Sequence, residues 1–255
     1  MNVTQITFSP TGGTAQVAEL ITRSWGMPVH KIDLSNAQTA GSFLSLGKGD
    51  LAIIAIPSYG GRVPGLAAQR ISNIHGNQTP CVLVCVYGNR AYEDTLVELN
   101  DIAEKGGFKV IAAIAAIAEH SIIHQYATGR PDTKDESELT YFSQKILDKI
   151  NGGLAQLTTP QVPGNRPYKK ASGAGLVPKA NGDCTSCGLC AEQCPAKAIS
   201  PENLKVADSK KCISCMRCVV KCPQSARHVN QAMVTAAALA LKKACSTRKE
   251  NELFI

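Results

Sequence analysis

Residues 7–15 read TFSPTGGTA. The stretch follows an apolar run, Val3 to Phe8, and opens onto a segment of helical periodicity. Hydroxyls and glycines between a strand and a helix N-terminus suit an anion. The side chains of Ser9, Thr11 and Thr14, with the amides of Gly12 and Gly13, can surround one phosphate where the helix dipole favours negative charge. The Gly-Lys-Ser/Thr of a Walker loop is missing, and so is the G-x-G-x-x-G of dinucleotide folds. A single terminal phosphate fits. An ordinary Ser/Thr-capped turn is the competing reading of the loop alone.

Outward from this loop, short apolar strands alternate with amphipathic segments over the first 150 residues. Strands are expected at Val3–Phe8, Val29–Leu34, Leu51–Ile56, Cys81–Tyr87 and Phe108–Ala118, and helices at Gly13–Trp25, Pro64–Ile74, Tyr92–Gly106 and Glu136–Asn151. The stretch 35–49 has no firm pattern. Nearly continuous apolar strands separated by helices imply an α/β fold, a parallel sheet covered on both faces. Five such strands fit a doubly wound sheet of order 2-1-3-4-5, with the ligand at the carboxyl ends of the strands.

The pattern stops at TTPQVPGNRPYKKASGAGLVPKANG (158–182), a Pro/Gly/Lys-rich linker or wrapped loop. Two repeats follow, CTSCGLCAEQCPAKAIS from 184 and CISCMRCVVKCPQSARH from 212. Each is C-x2-C-x2-C-x3-C-P, the run that binds 4Fe–4S cubes, in which the fourth cysteine serves the other cluster. Cys184, Cys187, Cys190 and Cys222 are therefore assigned to one cube, and Cys212, Cys215, Cys218 and Cys194 to the second. Pro195 and Pro223 redirect the chain after each crossing ligand, and Gly188, Ala191, Ile213 and Val219 can keep water off. Paired zinc sites fit poorly, because they separate their C-x2-C pairs or include histidine.

Two further strand ends carry glycine and tyrosine: IPSYGGRVP (56–64) and VYGNRAYED (86–94). Pro57, Ser58, Tyr59, Gly60 and Gly61 from the first, with Tyr87, Gly88, Asn89, Arg90 and Tyr92 from the second, would cradle a flat ring. Tyr59 is the stacking candidate. SPTGGT resembles the FMN phosphate loop of flavodoxins, and the two tyrosine segments resemble their isoalloxazine loops. The cysteine repeats resemble two-cluster bacterial ferredoxins. With GGRVP, VYGNRAYEDTLVEL, GF (107–108), EHS (119–121) and GRPD (129–132), nearly the whole chain is similar to the flavodoxin–ferredoxin fusion proteins of anaerobic bacteria. The resemblance implies FMN beside two 4Fe–4S clusters. Flavodoxin loops often carry Asn where Gly13 stands, so the grip here falls to the backbone.

Organisation follows: a flavodoxin-like FMN domain (1–157), a linker (158–182), a ferredoxin-like two-cluster domain (183–230), and a C-terminal helix and tail (231–255) that docks back. Arg62 and Arg90, if beside the flavin, would stabilise its reduced anionic form and raise its potential. His120, ending the fifth strand, could donate a proton. Arg130 and Asp132 suit a loop-fixing ion pair, Cys81 and Cys85 suit the core, and Cys245 is a lone thiol.

Composition narrows the function classes. Of 255 residues, 11 are cysteine, and eight of these fall between Cys184 and Cys222, a clustering that signals metal rather than a disulfide scaffold. Residues 1–160 carry 12 Lys/Arg against 14 Asp/Glu, and residues 161–255 carry 15 against 6. Thiolates and oxidised cubes would lower the +9 of the second half to about +5. Lys210, Lys211, Arg217, Lys221 and Arg227 then read as balancing charges or as a docking face for an acidic redox partner. Nucleic acid is a poor partner, since no aromatic platform accompanies the basic residues. No apolar run reaches membrane-span length, and MNVTQITF lacks an export signal, so the cytoplasm is expected. The reading is an electron-transfer flavoprotein and iron–sulfur protein that exchanges low-potential electrons with a donor or acceptor protein. The alternative is an FMN-dependent reductase of a small acceptor such as a quinone or nitro compound.

Overall fold

A computed structural model describes residues 1–38, 44–47, 49–153, 157–171, 173 and 175–255. The patternless stretch 35–49 falls partly outside these residues (39–43 and 48), as do 154–156 at the end of the first domain and 172 and 174 of the linker. The chain runs β1 (Asn2–Thr7), α1 (Gly13–Arg23), β2 (Val29–Asp33), β3 (Leu44–Ser45), β4 (Asp50–Pro57), α2 (Gly65–Ile71), β5 (Ile74–His75), β6 (Pro80–Tyr87), α3 (Thr95–Lys105), β7 (Lys109–Ile117) and α4 (Thr133–Asn151). It continues through β8 (Lys179–Ala180), α5 (Leu189–Glu192), α6 (Arg217–Val220), β9 (Arg227–His228), α7 (Gln231–Cys245) and β10 (Glu252–Phe254).

The central sheet has the order β10-β7-β6-β4-β1-β2. Its five long strands pair in parallel, in the flavodoxin-like arrangement read from the sequence. Because side chains alternate across a strand, each central strand feeds two cores. Leu51, Ile53 and Ala55 join Val82, Val84 and Val86 under α1 and α4. Ala52, Ile54 and Ile56 join Cys81, Leu83 and Cys85 under α2 and α3. Cys81 and Cys85 are thus core residues, and burial pushes both thiols far up.

Several elements differ from the sequence reading: the short strands β3, β5, β8 and β9 were not expected, and the helix expected to run to Ile74 ends at Ile71, with Ile74 in β5. A sixth strand, β10, runs antiparallel along β7, pairing Leu253 with Ile114. Helix α4 starts three residues early, because Asp132 accepts from the amides of Lys134 and Asp135 while Asp135 reaches back to the Asp132 amide. The ion pair expected between Arg130 and Asp132 is re-partnered: Arg130 pairs with Asp135, and Asp132 takes Arg248 from the tail.

The linker is anchored over residues 165–169. Asp94 accepts from the amides of Asn165 and Lys169, and Asp101 takes Arg166 and Tyr168. These anchors seat it on α3. The C-terminal segment docks at both ends. Helix α7 packs Ala238 and Cys245 on Ile123 and Tyr126, and Asn251 accepts from the Ile117 amide.

The second domain is internally repeated in its backbone. Ser186 and Ser214 have φ of 57° and 53°, Gly188 and Met216 have 81° and 61°, and Lys197 and Ser225 have 48° and 49°. Each pair is separated by the same step as the cysteine repeats. Left-handed backbone recurring at matched positions gives both runs the same local course. Non-glycine residues accept the cost because the turn re-aims the cysteines.

Candidate functional site

At the carboxyl ends of β1, β4, β6 and β7 the loops line a cavity that is partly open to solvent. Thr11, Gly13 and Thr14 form one end, Pro57, Ser58, Tyr59 and Gly60 one wall, and Tyr87, Gly88 and His120 another. Of the five phosphate-loop residues read from the sequence, Thr11, Gly13 and Thr14 line the cavity, and Ser9 and Gly12 do not. Gly12 caps α1 at φ 103°, a conformation that favours glycine, without any side-chain cap. The Ser9 hydroxyl accepts from the Ala15 amide at 2.9 Å and lies outside the lining. Among the described residues nothing accepts from the amides of Gly13 and Thr14, so these helix-start donors remain for a ligand. Gly88 is required by proximity, since a Cβ there would lie 2.7 Å from two carbons of His120.

Not every residue assigned to the site reaches it. Arg62 faces α3, where Glu98 grips it with two bonds of 2.7 Å, the Lys169 carbonyl accepts from it, and the Tyr168 ring stacks 5.0 Å away. Arg90 pairs with Glu93. Neither arginine lines the cavity, so their charges are spent on carboxylates. The Asn89 amide side chain binds the carbonyls of Cys245 and Thr247, which fixes the tail. Tyr92 stands behind Tyr87, edge to face at 5.2 Å, and donates to Glu252. Gly61 is likewise outside the lining, with Glu93 packed against it.

His120 Nδ1 accepts from the amides of Ile122 and Ile123 at 3.2 and 3.1 Å. That leaves the proton on Nε2. Burial holds the imidazole below its ordinary value, and the nearby His124 and Arg90 charges add to this. His120 is a neutral donor in the cavity wall.

The remaining wall was not assigned from sequence: Gly173 of the linker, and Ile213 and Ser214 of the second domain. Ile213 also lines a small hollow ringed by Cys194, Cys212, Cys215 and Cys218. A second small hollow is ringed by Cys184, Cys187, Cys190 and Cys222. The eight cysteines thus divide between the hollows as the crossing-ligand rule requires. Four soft thiolates around each hollow are the donor set of a 4Fe–4S cube. The Ala198 amide donates to Cys194 Sγ at 3.2 Å, and the Ala226 amide to Cys222 Sγ at 3.3 Å. Burial pushes the Cys215 thiol up to about 12, so ligand exchange for iron must carry off its proton.

The two domains are joined by buried polar contacts. Arg217 donates to Ser35 Oγ at 2.8 Å, and Arg70 donates to the Pro195 carbonyl at 2.6 Å.

Residues 183–227 match the family of 4Fe-4S dicluster domains. No curated protein matches the chain. Among solved structures, a flavodoxin of Streptococcus pneumonia TIGR4 covers 58% of this chain and 99% of its own, at 14% identity and a TM-score of 0.40. A flavodoxin from the domain Archaea covers 59% and 99%, at 12% identity and a TM-score of 0.39. The rubredoxin oxygen:oxidoreductase of Desulfovibrio gigas covers 59% of this chain and 36% of its own, at 13% identity and a TM-score of 0.42. Superpositions this partial add nothing to the fold, which rests on strand order and register. The chain joins a flavodoxin-like doubly wound domain to a 4Fe–4S dicluster domain. No described helix is long and apolar enough to cross a membrane.

Proposed function

We propose that the protein is an electron-transfer flavoprotein in which FMN occupies the large cavity and each cysteine-ringed hollow holds one 4Fe–4S cluster. When bound, the clusters supply single-electron chemistry and FMN supplies one- and two-electron chemistry. The observation that carries this reading is Ile213, a wall residue common to the large cavity and to the Cys194/Cys212/Cys215/Cys218 hollow.

The chain's residues have distinct tasks in this reading. Thr11, Thr14 and the free amides at the start of α1 hold the phosphate. Tyr59 and Tyr87 offer ring faces at the cavity wall, and the missing side chains of Gly60 and Gly88 let backbone approach the ligand closely. His120 keeps a neutral N–H donor in the wall. Ile213 excludes water between the two sites while keeping them in contact. Gly173 of the linker and Ile213 and Ser214 of the second domain complete the lining. Cys187 is the exposed cysteine of the eight. A partner protein would therefore meet the Cys184/Cys187/Cys190/Cys222 side, and the positive excess of residues 161–255 suits an acidic one.

Anaerobic purification with metal and flavin analysis tests the reading. It predicts iron and FMN in a ratio of about eight to one. Iron-replete protein that takes up no added FMN would leave an iron–sulfur protein with an empty cavity.

A further inference from the structure

Arg227 breaks the internal symmetry of the second domain. Its counterpart one repeat earlier is Ile199, an apolar wall residue of the Cys194 hollow. Arg227 instead lines the Cys184 hollow and is 2% exposed. Its Nη1 donates to the Leu204 carbonyl at 2.6 Å and lies 3.8 Å from Cys190 Sγ. Its Nη2 donates to the Pro178 carbonyl at 3.0 Å. Its Nε has no partner among the described residues, and none of its contacts is a carboxylate.

A buried guanidinium without a counter-ion is costly, so an anion must complete this site. The anion within reach is the cysteine set itself. Carbonyl oxygens fix the guanidinium but cannot neutralise it.

We infer that Arg227 is the counter-charge of the Cys184 set and raises the reduction potential of the cluster held there. Each electron added to a cluster adds negative charge. A fixed positive charge in a poorly screened interior stabilises the reduced form more than the oxidised form. The inference rests on the cluster reading of the hollows and does not require FMN.

Redox titration of the anaerobic full-length protein, followed by the electron paramagnetic resonance of the reduced clusters, tests it. Arg227→Ile, which copies the other repeat, and Arg227→Gln should lower the midpoint potential of the cluster in the Cys184 hollow. That drop belongs to the signal that Cys187→Ser perturbs. Arg227→Lys, keeping the charge, should show a smaller drop. Unchanged potentials in the neutral variants, or an equal drop in Arg227→Lys, overturn the inference. If the neutral variants lose iron and Arg227→Lys keeps it, the charge is needed for assembly and the inference stands. Loss of iron in Arg227→Lys as well overturns it, because the side chain then acts by shape. Wild-type protein without iron would contradict the cluster reading itself, a distinct outcome.

Discussion

Tyr59, at the end of β4, and Ile213, between two cluster cysteines, line the same cavity. One belongs to the doubly wound sheet and the other to the dicluster domain, so the cavity is complete only when both domains are in place. Ile213→Ser puts a hydroxyl into that wall and lets water in. FMN binding should weaken by about 3- to 10-fold, from roughly 1 kcal/mol of lost apolar contact. Fluorescence quenching of FMN on titration measures it, and an unchanged Kd would remove Ile213 from the site.

The phosphate grip is separable from the ring walls. Thr11→Val with Thr14→Val leaves the backbone of the loop intact but removes two hydroxyl donors. FMN affinity should fall by about 10- to 100-fold, at roughly 1 kcal/mol per lost bond. Riboflavin, which has no phosphate, should bind both proteins equally. Parallel losses for the two flavins would show that the loop does not hold a phosphate.

Arg62 serves the scaffold. Arg62→Ala leaves the buried Glu98 without its arginine and frees the Lys169 carbonyl, at a cost of about 1–3 kcal/mol in urea unfolding. The midpoint potential of bound FMN should stay where it is. A drop in that potential would restore the arginine to the flavin site.

His120 should remain neutral well below the usual range. Its folded value is depressed first by burial, so the folded state resists protonation. The unfolded chain takes up a proton near pH 6.5, and stability contributed by neutral His120 is present above that pH. It is lost as pH falls from about 6.5 through the depressed folded value. Nitrogen NMR of labelled protein should show an Nε2-protonated ring at pH 6.5 with Nδ1 unprotonated. A His120 midpoint at or above 6.5 would contradict this.

The five parallel strands were legible because each is a nearly continuous apolar run, and both faces of the sheet are covered. The division of the cysteines was legible because ligand spacing is a local constraint. Strand β10 was not, since Glu252, Leu253 and Phe254 are too few to show alternation and owe their conformation to pairing with β7. Arg62 and Arg90 sit in ring-loop sequences, but their direction is set by Glu98 and Glu93, and sequence does not say which face of α3 meets that loop. Asp132 and Glu/Asp residues beyond it carried a capping signal that would have placed the start of α4. Ile213 and Gly173 could not be assigned to the flavin-sized cavity from pattern, because their place there depends on how the domains pack.

The central claim is that one chain carries both kinds of redox centre in contact through a common wall. Rapid reduction of the clusters in anaerobic protein, with flavin absorbance followed afterwards, tests it most directly. The account predicts a first-order flavin change whose rate constant is independent of protein concentration. A rate that rises in proportion to protein concentration would show that electrons pass between molecules, and would contradict it.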